Sequence, residues 1–292
     1  MCQRGAEDHT APGGGRVGKR FAASLLFAEP RATDRIGPMY TVVADRLVKE
    51  FPQPAGGAKR AVDELSFRVQ QCQIYGLLGP NGSGKTTTLR LLSGLMAPTS
   101  GTAILAGHDV AKSSDAVKRV LGFLTANTGL YQRLTARELL IYFARLHGLD
   151  AIRAEARADE LIRWFGITGF AQLRCGALST GQRQRVNIAR ALVADPPILI
   201  MDEPTLGLDV LSNRVILEFI KRERDGGKSI ILSTHYLDEA ESMCDQIGLL
   251  HDGRLVAEGT LADLRTLSGE ERLSNIFLKL VHAEEPLEAL RA

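Results

Sequence analysis

The apolar positions of this chain follow two different periods. Residues 40–44 and 65–69 carry β-branched or aromatic side chains at short spacing and read as strands, with a Pro/Gly-rich stretch at 51–57 between them. Residues 73–78 read as another strand, which runs into a glycine-rich loop. The period then lengthens: Leu89, Leu91, Leu92 and Leu95 recur at helical spacing across 86–95. A short strand is expected at 121–124, and helical patterns cover 136–147, 153–165 and 179–193. The runs at 197–201 and 229–232 are apolar inside and bounded by turns or charge, which suits strands buried on both faces of a parallel sheet. Residues 247–251 and 254–258, joined by Asp252-Gly253, spell a β-hairpin. Strand and helix alternate at both ends of the chain, around a wholly helical block near 128–185. The expected architecture is an α/β core with a helical insertion.

Composition narrows the class. The chain has 292 residues, 45% of them hydrophobic, which excludes wholesale disorder. Thirty-six Lys plus Arg against 34 Asp plus Glu leave a formal charge of +2, so no nucleic-acid partner is expected. No apolar run approaches the roughly 18 residues that a membrane-spanning helix needs. Cys2, Cys72, Cys175 and Cys244 are scattered without a C-x-x-C spacing, so neither a disulfide framework nor a zinc site is expected, and a reducing cytoplasm fits best. Residues 1–38 differ from the rest. They contain the low-complexity patch Pro12-Gly13-Gly14-Gly15, then Arg16, Lys19 and Arg20 before a short apolar stretch at 21–28. That stretch is at the short end for a signal peptide, and its cleavage pattern is weak. The segment is read as a disordered extension, or as sequence upstream of a true start at Met39.

Candidate chemistry begins where the third strand ends. Gly79-Pro80-Asn81-Gly82-Ser83-Gly84-Lys85-Thr86 matches G-x-x-x-x-G-K-[ST] between a predicted strand and a predicted helix. Glycines there let successive backbone N–H groups face phosphate oxygens, and the helix that follows adds its positive end. Lys85 is placed to reach the β- and γ-phosphates, and the Thr86 hydroxyl to ligate Mg²⁺. Residues Gly79 to Thr86, with the adjoining Thr87, are therefore read as a nucleoside triphosphate site.

Two further strand ends add to it. The apolar run at 197–201 leads into Asp202-Glu203-Pro204; Asp202 is placed to hold Mg²⁺, and Glu203 to accept a proton from an attacking water. Alone, such a pair is as readily a solvated strand end. His235, in Ser233-Thr234-His235, follows another buried run and is equally ambiguous in isolation. Parallel strands ending on one edge would bring it beside Glu203. Leu178-Ser179-Thr180-Gly181-Gln182 opens a helix, with Ser179 as its cap and Gly181 allowing close approach to an anion. By itself it is an ordinary capped helix start.

Taken together and in this order, these motifs resemble those of the ATP-binding-cassette (ABC) ATPases, over almost everything from Met39 to about Leu267. Leu178 to Gln182 is similar to that family's L-S-G-G-Q signature, with Thr180 replacing the first glycine. Asp202 and Glu203 match its metal-holding aspartate and catalytic glutamate, Leu208-Asp209 its loop between two nucleotide sites, and His235 its switch histidine. Phe51 stands where the family stacks an aromatic ring on adenine. The resemblance implies a P-loop NTPase core of mostly parallel sheet with an antiparallel β subdomain, spanning 39–267 with a helical subdomain at about 128–185, and a short tail at 268–292. It implies ATP and Mg²⁺ as cofactors. It also implies a head-to-tail dimer in which Ser179, Gly181 and Gln182 of one subunit face the ATP held by Lys85 of the other.

One position departs from the family. Ala126 stands where a glutamine usually touches Mg²⁺ and senses the permease, so either water or Asn127 fills that place or the coupling works differently. The stretch Thr128-Gly129-Leu130-Tyr131, with Arg133-Leu134-Thr135-Ala136-Arg137-Glu138, resembles the ATPase subunits of sodium-extruding ABC exporters, as do Gly207-Leu208-Asp209-Val210 and Ala257-Glu258-Gly259-Thr260. The last of these is shared with drug-exporting relatives. The expected function is an ATPase subunit that energises export, of sodium first and of drugs or lipid-like molecules as the alternative. It would work through a separate integral-membrane permease at the cytoplasmic face of the cell membrane. A soluble ABC ATPase acting on ribosomes or DNA is the other-class alternative, disfavoured by a single cassette without heptad arrays. A P-loop GTPase or small-molecule kinase lacks N-K-x-D and leaves Leu178 to Gln182 unexplained.

Overall fold

The computed structural model describes residues 40–54, 56–125 and 129–282. Its first half runs β1 (Tyr40–Pro52), β2 (Ala58–Gln70), β3 (Ile74–Leu78), α1 (Lys85–Leu92), β4 (Ser100–Leu105), β5 (His108–Asp109), α2 (Ser114–Val120) and β6 (Leu121–Leu124). Two long helices follow, α3 (Ala136–Leu146) and α4 (Ala151–Trp164), then α5 (Thr180–Ala191). The chain returns to alternation with β7 (Ile198–Asp202), α6 (Val210–Asp225), β8 (Ser229–Thr234), α7 (Leu237–Met243), β9 (Gln246–His251) and β10 (Arg254–Gly259). It closes with α8 (Leu261–Ser268) and α9 (Leu273–His282).

The strands form two sheets. One has the order β2-β1-β4-β5 and is antiparallel. The other has the order β10-β9-β3-β8-β7-β6 and is parallel from β9 to β6, with β10 added antiparallel at its edge. This is the expected P-loop arrangement: a mostly parallel core, an antiparallel β portion and a helical block between β6 and β7.

Strands β7 and β8 are buried along their whole length and carry unbroken apolar runs because each lies between two cores. Ile198 and Ile200 face one cluster, with Val42, Phe67, Tyr75, Leu77 and Leu89. Leu199 and Met201 face the other, with Leu139, Phe165, Val186 and Phe219 from the helices. Ile231 and Ile230 divide in the same way on β8. Ile200→Ala is expected to cost about 2–5 kcal/mol, because two fully buried methyls and a methylene disappear from a site closed on every side. Urea unfolding followed by circular dichroism measures it, and an unchanged midpoint would contradict the two-sided core.

Differences from the pattern reading have physical causes. The first two strands run longer than expected: Phe51 and Pro52 still pair with Lys59 and Ala58, so the Pro/Gly-rich stretch is the tip of one long ribbon. The periodicity leaves β4, β5, α2, α6, α7 and α8 unmarked. The largest, α6, buries Ile216, Phe219 and Ile220 along a narrow stripe of an otherwise charged helix. The helical block is interrupted, with single 3-10 turns at Thr168–Phe170 and Cys175–Ala177 before α5. At the chain's far end Leu273 and Ile276 of α9 pack with Ala240, Ile247, Leu249 and Leu264. Among the described residues no helix is long and apolar enough to cross a membrane.

Candidate nucleotide and catalytic site

Strand register brings the candidate residues together. Leu78 pairs with Thr234, and Asp202 with Ser233, across the adjacent parallel strands β3, β8 and β7. Gly79, Glu203 and His235 therefore leave the sheet side by side at its carboxyl edge, where open parallel sheets bind ligands.

The glycine-rich loop is held on both flanks. Gly84 caps α1 with φ 104°, and a Cβ there would collide with the Ala61 carbonyl oxygen of β2. A Cβ at Gly79 would collide with the Leu250 carbonyl oxygen of β9. From the β9–β10 turn, the Gly253 N–H donates to the Ser83 carbonyl at 2.9 Å, and the Gly253 carbonyl accepts from the Asp63 N–H at 2.9 Å. Asp63 in turn takes hydrogen bonds from Arg254 and Arg60, and the Arg254 guanidinium holds its carboxyl below the usual carboxylate range.

Inside this cradle Ser83 Oγ is buried without a hydrogen-bond partner among the described residues, and Lys85, 6% exposed, turns its Nζ onto the Gly79 and Pro80 carbonyls at 2.6 and 3.1 Å. Burial lowers the Lys85 pKa, while Glu203 and Asp202 nearby oppose that shift. An orphaned hydroxyl, an ammonium resting on carbonyls and a ring of loop backbone fit a phosphate chain. Asn81, Gly82 and Thr86 are exposed and Thr87 is half-buried, so one side of the loop stays open.

The carboxylates are arranged for two different tasks. Thr86 Oγ1 donates to Asp202 Oδ2 at 3.0 Å, and Ser233 Oγ donates to the other Asp202 oxygen. A hydroxyl beside a carboxylate that is itself fixed from behind is a hard-oxygen donor set suited to Mg²⁺. Glu203 lies one residue further on, and its Oε2 is 2.7 Å from His235 Nδ1. Its backbone is left-handed at φ 51°, which for a non-glycine residue costs on the order of 1–3 kcal/mol and persists only where the surroundings impose it.

Other candidates lie elsewhere in the fold. Phe51 sits on the antiparallel sheet, partly exposed, with the Lys49 ammonium 5.5 Å from its ring centre. Ser179 caps α5 in a reciprocal box with Gln182, whose N–H donates to Ser179 Oγ at 3.3 Å while Gln182 Oε1 accepts from the Ser179 N–H at 2.9 Å. Gly181 faces Ser212 and Leu208. Asp209 caps α6 through the Ser212 N–H and hydroxyl. None of the hydrogen bonds described for Ser179, Gln182 or Asp209 reaches the phosphate loop of the same chain. Ala126 and Asn127, the positions of the missing glutamine, lie outside the described residues, as do residues 1–39 and 283–292. Three residues that the motif reading passed over also enter the site's framework: Ser233 behind Asp202, and Thr205 and Glu239 behind Glu203. Only register and long-range packing reveal them.

The profile of the ABC transporter family matches residues 62–206. The ABC transporter ATP-binding protein NatA of Bacillus subtilis (strain 168) is 40% identical over 224 residues, which cover 76% of this chain and 91% of NatA. The chain belongs to the ATP-binding proteins of ABC transporters. It is thus an ATP-binding, ATP-hydrolysing subunit of that family. A second relative of this ABC ATPase is the daunorubicin resistance ATP-binding protein DrrA3 of Streptomyces coeruleorubidus, 39% identical over 76% of this chain and 70% of DrrA3. Among solved structures, the ATP-binding cassette MJ0796, dimeric and bound to ADP and Pi in a post-hydrolysis state, superposes with a TM-score of 0.70. It is 26% identical, over 75% of this chain and 98% of that one.

Proposed function

We propose that this ABC ATPase energises export through a separate integral-membrane permease at the cytoplasmic face of a membrane, and that the exported ion is sodium. The observation that carries the hydrolytic part is the meeting of Lys85, Thr86, Asp202, Glu203 and His235 at one sheet edge. Loop amides of Gly79 to Gly84, with Lys85 and Thr87, receive the phosphates of ATP, and Phe51 stacks on the adenine. Thr86 and Asp202 would hold Mg²⁺, which would supply positive charge against the phosphates. Glu203 takes a proton from the attacking water as its oxygen bonds to the γ-phosphorus; the bond to the ADP oxygen breaks and its electron pair leaves with ADP. His235 holds Glu203 and the γ-phosphate in line.

The second half of each site is assigned to a partner copy. Ser179, Gly181 and Gln182 at the start of α5 and Asp209 at the start of α6 face the ATP of the other subunit in a head-to-tail dimer. The dimeric state of MJ0796 with ADP and Pi supports this arrangement. A helix start opposite a phosphate loop gains attraction that bound ATP completes, and hydrolysis loosens it.

Sodium is favoured over drugs by the likeness of residues 128–138 and 207–210 to sodium-extruding exporters. Drug export is the second reading, supported by the 39% identity with DrrA3. The test is reconstitution of this chain with its co-purifying membrane permease in vesicles. ATP-dependent sodium movement is expected, silenced by Glu203→Gln. Movement of daunorubicin without sodium would overturn the sodium assignment in favour of the second reading.

A further inference from the structure

The left-handed backbone of Glu203 raises the question of what holds it there. Upstream, the Glu203 N–H donates to the Ser233 carbonyl of β8 at 3.0 Å. Downstream the chain folds back on itself: the Leu206 N–H donates to the Glu203 carbonyl, and the Leu208 N–H to the Thr205 carbonyl, both at 3.2 Å. Two side chains from other elements pin this fold. Gln184 of α5 donates to the Pro204 carbonyl at 2.8 Å. Thr205, 2% exposed, donates from Oγ1 to Glu239 Oε2 at 2.9 Å.

Glu239 belongs to the first turn of α7, four residues beyond His235 on the same segment. Its second oxygen, Oε1, accepts from Asn213 Nδ2 of α6 at 2.6 Å. One carboxylate therefore grips the chain on both sides of the 206–209 loop. The segment 235–239 and the segment 203–205 are joined twice, by His235 to Glu203 and by Glu239 to Thr205. Each contact limits rotation about the other. A lone solvated acidic residue near a helix start would need neither of the two donors, the buried Thr205 and the half-buried Asn213, that Glu239 receives.

We propose that Glu239 is a positioning residue for ATP hydrolysis: through Thr205 it fixes the backbone of Glu203 relative to His235. This rests on the reading of Glu203 as the general base. The Glu239 carboxylate touches neither Lys85 nor Thr86 in any described contact, so its loss is expected to act on the chemical step and leave ATP binding alone.

The test uses the full chain with MgATP, reading kcat, KM, nucleotide affinity and Tm. Glu239→Ala is expected to lower kcat about tenfold with KM and nucleotide affinity within about twofold of wild type. Thr205→Val, which keeps the side-chain shape, is expected to lower kcat similarly, and the double variant is expected to be no worse than either single one. Glu239→Gln is expected to recover most of the rate. The buried Asn213 Oδ1 has no hydrogen-bond partner among the described residues, so a turned Asn213 amide offers the new donor an acceptor. A kcat within twofold of wild type in Glu239→Ala and Thr205→Val overturns the proposal. So do losses that add in the double variant, or a rise in KM without a fall in kcat. Glu203→Gln measured alongside separates the two readings. If it turns over normally, the base assignment fails; if it is silent while Glu239→Ala is normal, only the positioning role fails.

Discussion

Glu203→Gln is expected to abolish steady-state ATP turnover, lowering kcat by at least about 100-fold, the lower end of what a positioned general base contributes. The substitution keeps the volume of the side chain and an oxygen for His235, now 2.7 Å from the carboxylate. It removes only the capacity to take a proton. The phosphate loop, Lys85 and the Thr86–Asp202 pair are untouched, so ATP still binds. A dimer clamped by ATP then persists, because the step that would release it no longer occurs. Phosphate release measures the first effect, and size-exclusion chromatography in MgATP the second. Undiminished turnover would remove Glu203 from the mechanism.

The opposite phenotype is expected from Lys85→Ala. This ammonium is buried in the loop, and among the described residues it donates to the Gly79 and Pro80 carbonyls. A charge-assisted hydrogen bond to phosphate contributes about 1.5–3 kcal/mol, so nucleotide affinity is expected to fall roughly 10- to 100-fold and turnover with it. Burial already works against the ammonium in the free protein, so Tm is expected to change little. The double variant Lys85→Ala, Glu203→Gln is the sharper comparison. It should behave like Lys85→Ala, with no ATP-clamped dimer, since binding precedes clamping. Fluorescent-nucleotide titration and chromatography check both statements, and a clamped double variant would show that Lys85 does not hold the phosphates.

What could be read before the fold was known follows from how local each signal is. The parallel core was legible because β7 and β8 are buried on both faces, so their apolar runs are unbroken. The phosphate loop was legible because its glycines serve a backbone shape that neighbouring residues specify. The long helix α6 was not. Its apolar stripe is three residues wide in effect, and its cap, Asp209, reads in the sequence as a loop residue between nucleotide sites. The framework behind the catalytic pair was also hidden. Ser233 is 31 residues from Asp202, and Glu239 is 34 from Thr205, so only strand register and helix packing could join them. The left-handed Glu203 carries no sequence signature at all, since glycine is the residue that normally marks such a backbone. The roles proposed for Ser179, Gly181 and Gln182 need a second copy of the chain, which no single-chain pattern contains.

The β9–β10 turn has a consequence for how this sequence can vary or be engineered. A two-residue surface turn is ordinarily where a tag, an epitope or a natural insertion does least harm. Here Gly253 faces inward while Asp252 stays exposed: Gly253 is bonded through its N–H to Ser83 of the phosphate loop and through its carbonyl to Asp63 of the antiparallel sheet. Lengthening the turn by even one residue would move a wall of the nucleotide cradle. The spacing of this hairpin is thus constrained by ligand recognition at a place where, by position alone, the chain looks free to drift.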